Sequence, residues 1–153
     1  MGDFQIREAT PNDRARIVRL VNTVMQEFNL PVSLELIVAD IDSATRQANN
    51  NRARFWIAVY QNAIVGAIAI LPESEEECQL KRFYVLPQYR KQGLGRQLYE
   101  IAEQFARKAG YKAIVLMASR RFVNAIAFYL RNEYELVREI DNVWEDNIYR
   151  KSL

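Results

Sequence analysis

The chain has 153 residues, of which 50% are hydrophobic and 26% are charged, a composition typical of an ordinary globular domain. Its 21 basic and 19 acidic side chains leave a net charge of +2, too small to hold nucleic acid or an anionic membrane by an overall field. Histidine is absent and Cys78 is the single cysteine, which excludes Ser-His-Asp and Cys-His catalysis, histidine metal sites and disulfides within the chain. We therefore expect no metal and no catalytic role for Cys78.

The sequence also bears on location. Its longest apolar runs, residues 55–60 and 63–71, are far shorter than the roughly 20 residues that a membrane span needs. Charged residues surround Phe4 and Ile6, so the first residues do not form the apolar region of a signal peptide. We expect a cytoplasmic protein that binds no membrane.

The amino-terminal third predicts a short strand followed by two helices. The strand lies around Phe4 and Ile6, and residues 10–13 then start a helix with Thr10 as N-cap and Asp13 completing a capping box. A second helix is predicted to start at Ser33 and to end before an asparagine-rich loop at 49–52.

The rest of the chain alternates strands with two more helices. Apolar periodicity predicts strands over 54–60, 64–71, 80–85, 113–117, 134–139 and 148–152, and helices over 98–109 and 124–130. Because residues 113–117 are wholly apolar, we expect this strand to be buried on both faces. The order β-α-α-β-β-β-α-β-α-β-β predicts one α+β (mixed α/β) domain over residues 3–153, with helices on a mixed sheet.

A glycine-containing loop at residues 90–96 precedes the third helix. Gly93 and Gly95 allow a ligand to approach the backbone, and a helix start attracts phosphate. Five basic residues and no acidic residue lie between 78 and 99, which predicts a local anion site. A dinucleotide fingerprint would need glycine where Leu98 stands, and a Walker loop would need Gly-Lys-Ser/Thr. The structural alternative is that the two glycines only shape a turn.

Two segments together identify a family. Residues 83–95, FYVLPQYRKQGLG, closely resemble the acyl-CoA-binding signature of the GNAT superfamily of N-acetyltransferases. Residues 124–129, NAIAFY, resemble the second segment of that superfamily. The order of elements matches as well, so the resemblance covers essentially the whole chain. It implies a twisted, mostly antiparallel sheet of six to seven strands flanked by about four helices.

The resemblance implies an acetyl-CoA-dependent N-acetyltransferase that moves an acetyl group to a primary amine of a small molecule or peptide, by direct attack in a ternary complex. The amides of residues 92–96 would hold the pyrophosphate, and main-chain groups of Phe83 and Val85 would pair with the pantetheine arm, with the Val85 amide polarising the thioester. The implied acetyl-CoA-binding set is Phe83, Tyr84, Val85, Arg90, Lys91, Gln92, Gly93, Leu94, Gly95, Arg96, Asn124 and Phe128.

For the chemistry, the resemblance implies that Tyr129 is the general acid for the departing thiolate. Many members carry a glutamate base where this chain has Gln79, which cannot take a proton at neutral pH. Glu77 could act instead through water, although a place in a solvated acidic turn is an alternative. The family's Gly-Phe after the tyrosine helix is Glu133-Tyr134 here, so we expect Asn132 to adopt the left-handed turn.

Other features leave alternatives open. Trp144 lies in a polar connection that often borders the acceptor site or a dimer interface in this superfamily, whereas Trp56 is expected in the core. A homodimer is possible. Gln79 suggests a non-catalytic acyl-CoA-binding module as the alternative function. Nucleic-acid binding by the 78–99 segment is not expected, because no large basic face with aromatic platforms is predicted.

Overall fold

The structure is a computed structural model that describes residues 3–46 and 51–153. The predicted loop at 49–52 lies partly outside the described residues, and its last two residues, 51 and 52, form a turn. The helices and strands are β1 (Gln5–Glu8), α1 (Arg14–Glu27), α2 (Leu34–Thr45), β2 (Arg54–Tyr60), β3 (Ala63–Pro72), β4 (Glu77–Val85), α3 (Leu94–Lys108), β5 (Ala113–Ser119), α4 (Val123–Arg131), β6 (Glu135–Glu139) and β7 (Asp146–Ser152).

The strands form a seven-stranded sheet in the order β1-β2-β3-β4-β5-β7-β6. Strands β4 and β5 pair in parallel, and the other five pairs of neighbours are antiparallel. Helices α1 and α2 cover one face, where Ile17 and Ile37 are buried, and α3 and α4 cover the other, where Leu98 and Tyr129 are buried. The predicted α+β fold, with its mixed, mostly antiparallel sheet and four helices, is confirmed.

Residues Pro11–Asp13 form a 3-10 turn with Thr10 as its N-cap, and α1 follows at Arg14, later than the sequence predicts. Asp13 also forms an ionic cluster. The carboxylate of Asp13 accepts a hydrogen bond from the Thr10 amide at 2.8 Å, two from Arg7 at 2.9 Å and one from Arg16 at 2.7 Å. Because Arg7 donates to it, the pKa of Asp13 lies well below its ordinary value, despite its burial. Ser33 likewise caps α2, accepting from the Leu36 amide at 3.3 Å.

A β-bulge interrupts the pairing of β3 with β4. Lys81 lies opposite Ala69 and Tyr84 lies opposite Ala67, so β4 has one extra residue between these two pairs. Within the bulge, Arg82 has a φ of 53°, in the left-handed region that residues with a side chain adopt rarely. The bulge turns two consecutive side chains, Lys81 and Arg82, toward α2.

Strands β4 and β5 separate soon after they begin to pair. In the described part of the chain their register runs from Glu77 opposite Ala113 to Gln79 opposite Val115 and ends there. The expectation that residues 113–117 form a strand buried on both faces is wrong at Met117, which is 55% exposed. The reason is that Met117 faces the opening between the strands and not a neighbouring helix.

The end of α4 corrects a second expectation. Glu133, and not Asn132, adopts the left-handed conformation, with a φ of 72°. The amides of Glu133 and Tyr134 close the turn on the carbonyls of Leu130 and Tyr129, at 3.4 and 3.1 Å. The side chain of Asn132 instead donates to the Phe128 carbonyl at 2.7 Å.

No helix among residues 3–46 and 51–153 is long and apolar enough to cross a membrane.

Candidate active site

The opening between β4 and β5 forms a cavity of about 730 Å³, which we call the donor cavity. Residues 80–85 of β4 form one wall, and the end of β5 together with α4 forms the other. Phe83 lies in the middle of this site, with its ring centroid 6.0 Å from that of Phe128 and 6.4 Å from that of Tyr129. The shape suits an elongated ligand that lies along an unpaired strand edge.

The start of α3 provides the polar end of the donor cavity. Gly93 is the N-cap residue, with a left-handed φ of 86°, and the first hydrogen bond of the helix runs from the Gln97 amide to the Gly93 carbonyl at 3.0 Å. The amides of the three residues before Gln97 therefore have no acceptor within the helix. Gly95 lines the cavity beside Lys91. Such a helix start, with a glycine at the cap, can hold a phosphate group.

The backbone of β4 presents hydrogen-bonding groups to the cavity. Val85 lies opposite Gly66, and the next amide, that of Leu86, donates to the Val65 carbonyl at 2.9 Å. Since neighbouring residues of a strand direct their N–H and C=O groups to opposite sides, and Leu86 faces β3, the groups of Val85 and Phe83 face the opening. The Val85 carbonyl accepts from Arg90 Nε at 2.8 Å. The register places the Val85 N–H on the side of the opening.

Most of the cations in the predicted basic segment have partners in the fold. Lys81 and Arg82 bind Asp40, Arg90 binds Glu27, and Arg96 donates to Asn132 at 2.9 Å. The side chain of Arg96 also lies over the Phe128 ring, 4.8 Å from its centroid. The predicted anion site therefore depends on the amides at the start of α3 more than on this run of basic side chains. Because these side chains already have partners within the protein, the segment is poorly suited to nucleic-acid binding.

Tyr129 lies deep in the donor cavity and is 5% exposed. Its ring packs 5.5 Å from that of Tyr134 and 6.4 Å from that of Tyr149, between centroids. Burial raises the pKa of Tyr129 above its ordinary value of 10. The phenol therefore stays protonated at neutral pH and can donate a proton, but it cannot serve as a base.

A second cavity, of about 210 Å³, joins the first on the side of α1 and α2, and we call it the acceptor cavity. Both cavities are lined by Leu80, Lys81, Arg82, Tyr84, Met117 and Phe122. Trp144 covers the acceptor cavity and donates from its indole N–H to the Pro31 carbonyl at 2.9 Å. Arg121 supports the same closure, because it donates to the carbonyls of Phe28 and Asn29 at 3.1 and 3.0 Å. Trp56, by contrast, is in the core.

Two side chains of β4, those of Gln79 and Glu77, lie where a general base is expected. Gln79 lines the acceptor cavity, and its Nε2 donates to Glu73, which leaves its carbonyl oxygen as the acceptor. Glu77 lies on the same face of the strand but outside the lining of both cavities, and it accepts hydrogen bonds from Arg150 at 3.0 and 2.9 Å. Among the described residues that line the acceptor cavity, Asp146 is the one acidic residue.

The structure brings most of the predicted cofactor-binding residues together. The lining of the donor cavity includes Phe83, Tyr84, Val85, Arg90, Lys91, Gly95, Asn124 and Phe128. It does not include Gln92, Gly93, Leu94 and Arg96. Leu94 is 1% exposed and packs in the core, so only its backbone is a candidate for ligand contact. Cys78 is fully buried, and burial raises the pKa of its thiol to about 12, so it is not a nucleophile.

The sequence reading missed Asp40 and Asp146. Asp40 could have been noticed in the sequence, because an acidic residue interrupts the apolar face of α2 between Ile37 and Ala44. The bulge could also have been noticed, since the two consecutive charged residues at 81–82 break the alternation of apolar and polar residues along β4. No pattern around Asp146 in the sequence indicates a role, because Asp146 reaches the cavity only through the pairing of β6 and β7.

Comparisons with known proteins agree with this geometry. The model of the acetyltransferase (GNAT) family matches residues 19–134. Over 129 residues the chain is 30% identical to the uncharacterized N-acetyltransferase YjgM of Escherichia coli (strain K12), covering 81% of this chain and 77% of that protein. It is also 35% identical to N-acetyltransferase family 8 member 2 of Rattus norvegicus, over 60% of this chain and 42% of the relative, so it spans less than half of that protein.

Solved structures share the fold over almost the full length. An acetyltransferase from Streptococcus agalactiae superposes with a TM-score of 0.83 at 27% identity, covering 98% of both chains. The PaiA N-acetyltransferase from Thermoplasma acidophilum, solved in complex with coenzyme A, superposes with a TM-score of 0.71 at 20% identity, covering 99% of both chains.

The fold and the paired cavities define an acyltransferase of the acetyl-CoA-dependent N-acetyltransferase class. The chain belongs to the acetyltransferase (GNAT) family. This membership favours an enzyme over a non-catalytic acyl-CoA-binding module.

Proposed function

We propose that acetyl-CoA binds in the donor cavity and that the primary amine of a small molecule or peptide enters the acceptor cavity, where it attacks the acetyl carbon directly. The observation that carries this proposal is the wall that the two cavities share, with Tyr84 and Met117 in both linings. Two ligands can therefore meet in a ternary complex without an acetylated enzyme residue.

The donor cavity fits the parts of acetyl-CoA. The amides at 92–96 would hold the pyrophosphate at the start of α3, where the helix dipole favours negative charge. The backbone groups of Phe83 and Val85 that face the opening would pair with the amides of the pantetheine arm. Asn124 and Phe128 line the opposite wall and would contact the same arm.

In the reaction, a nitrogen–carbon bond forms and the carbon–sulfur bond of the thioester breaks. The Val85 N–H would donate to the carbonyl oxygen, which becomes negative in the transition state; one such donor is typically worth about 2.7–4 kcal/mol. Tyr129 would give its phenolic proton, which it holds at neutral pH, to the departing sulfur. Positioned proton transfer of this kind contributes about 10²–10⁴-fold.

The ammonium group of the acceptor must lose a proton before attack, and two carboxylates are candidates for accepting it through water. Glu77 is the candidate that the sequence suggested, and its ion pair with Arg150 disfavours the role. Asp146 is favoured because it lines the acceptor cavity; Asn142 donates to its Oδ2 at 3.0 Å. A large fall in kcat in Asp146→Asn, with kcat kept in Glu77→Gln, would support this choice.

The acceptor cavity limits the amine. A volume of about 210 Å³ is below the roughly 300–1,000 Å³ of pockets that enclose drug-sized ligands. Leu36, Met117 and Trp144 make much of its wall apolar. The proposed acceptor is therefore a small amine with an apolar body, or the end of one side chain of a peptide.

Steady-state kinetics tests the proposal. Release of free thiol from acetyl-CoA would be measured with a panel of small amines and lysine-containing peptides, varying both substrates. Intersecting double-reciprocal lines are expected for a ternary complex. Parallel lines would show an acetylated enzyme and overturn direct attack, and tight CoA binding without turnover on any amine would contradict the proposed reaction.

The cytoplasmic location, the homodimer and the single domain over residues 3–153 remain predictions. Cell fractionation tests the first. Light scattering after gel filtration gives the oligomeric state, and limited proteolysis tests the domain boundaries.

A further inference from the structure

A buried carboxylate on α2 joins the two consecutive basic side chains of the β4 bulge. Asp40 is 8% exposed, and its Oδ1 lies 3.1 Å from Lys81 Nζ while its Oδ2 lies 2.8 Å from Arg82 Nε. Each carboxylate oxygen thus receives a charged donor from a different residue. Hydrogen bonds of this kind are stronger and more directional than those between neutral groups.

This arrangement occurs where the backbone needs support. Arg82 has a φ of 53°, which costs energy for a residue with a Cβ atom and persists only when its surroundings hold it. The side chain of Arg82 is largely buried, so its position is fixed by its partner and by packing. Asp40 therefore stabilises the residue that makes the bulge.

The bulge decides which backbone groups of β4 face the donor cavity. An extra residue in one strand changes the side to which every later residue directs its N–H and C=O groups. With the bulge, Tyr84 pairs with β3, and the Val85 N–H faces the opening. In a regular strand, the Val85 N–H would point toward β3.

We propose that Asp40 is a positioning residue for acetyl transfer: by holding Lys81 and Arg82 it fixes the bulge, and so aims the Val85 N–H at the thioester. The inference rests on the proposed function. It also links the two substrates, because α2 carries Leu36 and Ile37 in the wall of the acceptor cavity. The helix that contacts the amine thus holds the strand that contacts the donor.

The test compares Asp40→Asn with the matched variant Asp42→Asn. Asp42 lies on the same helix, pairs with Arg14 at the surface and lines neither cavity. We expect Asp40→Asn to lower kcat by about tenfold or more while the Kd for CoA changes by less than about threefold, since one misaligned oxyanion donor mainly affects the transition state. Asp42→Asn should leave both constants unchanged.

A second pair of variants tests the backbone and serves if Asp40→Asn fails to fold. Both Arg82→Gly and Arg82→Ala lose the ion pair with Asp40. Glycine adopts the left-handed φ without strain, whereas alanine keeps the strain. We expect Arg82→Gly to retain several-fold more kcat than Arg82→Ala. In the Arg82→Gly protein, Asp40→Asn should cause a smaller further loss than in the wild type.

Three results would overturn the inference: an unchanged kcat in folded Asp40→Asn, a loss of CoA affinity as large as the loss of kcat, or equal activity of the Gly and Ala variants at position 82. If the wild-type protein released no thiol with any amine, the proposed function itself would fail. The wild-type measurement therefore separates the two failures.

Discussion

The guanidinium of Arg90 donates two hydrogen bonds, of 2.6 and 2.8 Å, to the carboxylate of Glu27 at the end of α1. The Nε of the same side chain donates to the Val85 carbonyl at 2.8 Å. Arg90 therefore holds the loop before α3, and the end of β4, against α1. In this position it shapes the donor cavity, and its charge is already balanced by Glu27.

Glu27→Gln distinguishes this positioning role from direct phosphate contact. We expect the Kd for CoA, measured by calorimetry, to rise by a few fold, because a partly exposed ion pair is worth up to about 1 kcal/mol. Tighter binding would contradict the positioning role, since Arg90 freed from Glu27 would then be gripping phosphate. Glu100→Gln, an exposed change on α3 outside both cavities, is the control.

In the proposed function, Gly95 allows the pyrophosphate of acetyl-CoA to approach the start of α3. A Cβ atom at this position would meet Phe83 and Val85 side-chain atoms at 3.8 and 4.0 Å, which is ordinary contact. We expect Gly95→Ala to fold and to gain up to about 1 kcal/mol of helix stability. Gly95→Val should fold but weaken CoA binding by about tenfold or more, because its branched side chain enters the cavity.

Gly93 offers a less selective test at the same loop. Its φ of 86° strains any other residue, so Gly93→Val should lower the melting temperature as well as CoA affinity. A folded Gly95→Val protein with unchanged CoA affinity would refute the phosphate site at α3.

Tyr129→Phe separates catalysis from binding. The ring still packs against Tyr134 and Phe83, so the melting temperature and the Kd for acetyl-CoA should change little. We expect kcat to fall by one to several factors of ten, as the departing sulfur loses its proton donor. Full activity of the variant would remove Tyr129 from the reaction.

The pKa of Tyr129 adds a prediction on pH. Because burial raises this pKa above 10, the phenol keeps its proton throughout the range from pH 6 to 10. Activity should therefore show no alkaline decline due to Tyr129 below pH 10. The pH profile of kcat, compared between the wild type and Tyr129→Phe at saturating substrates, checks this.

Trp144 should affect the acceptor and not the donor. It lines the acceptor cavity and ties the β6–β7 connection to Pro31, so Trp144→Ala removes both an apolar wall and a hydrogen bond. We expect KM for the amine to rise about tenfold or more and KM for acetyl-CoA to stay within about twofold. Val143→Ala, at an adjacent side chain that is 68% exposed, should change neither constant. Equal effects on both substrates would contradict the assignment.

Asp13 should make the stability of the fold depend on acid pH. Its folded pKa lies below the ordinary 3.8, so the folded state binds fewer protons than the unfolded state and loses stability as the pH falls below about 4. Near pH 7, Asp13→Asn should lower the free energy of unfolding by about 1–3 kcal/mol, because charged hydrogen bonds to Arg7 and Arg16 are lost. In urea unfolding experiments the difference from the wild type should shrink toward pH 2; a constant difference would contradict the linkage.

Local elements could be predicted from the sequence in detail. The strand over 54–60 and its hairpin partner follow from the apolar pattern and the turn at 61–62, where both residues have positive φ. The caps at Thr10 and Ser33 follow from residue type. Each of these depends on neighbours within a few residues, which is why the sequence alone specifies them.

The residues that would bind acetyl-CoA were also within reach of the sequence, because the loop at 83–95 and the segment at 124–129 are continuous stretches that lie beside one cavity. The sequence did not reveal which basic side chains are free to bind a ligand and which are paired within the fold. Lys81 and Arg82 look like free cations along the chain, and only the fold shows Asp40 between them, 41 and 42 residues away.

The sequence by itself thus determined the family, the order of helices and strands and the position of the proposed donor site, since these depend on local pattern and on two short motifs. The tertiary structure decided where β4 and β5 separate, that Met117 faces an opening, and how Trp144 and Arg121 close the acceptor cavity against residues 28–31. These features depend on contacts between segments as much as 113 residues apart. Such contacts form only when the sheet and helices pack together, and no local pattern records them.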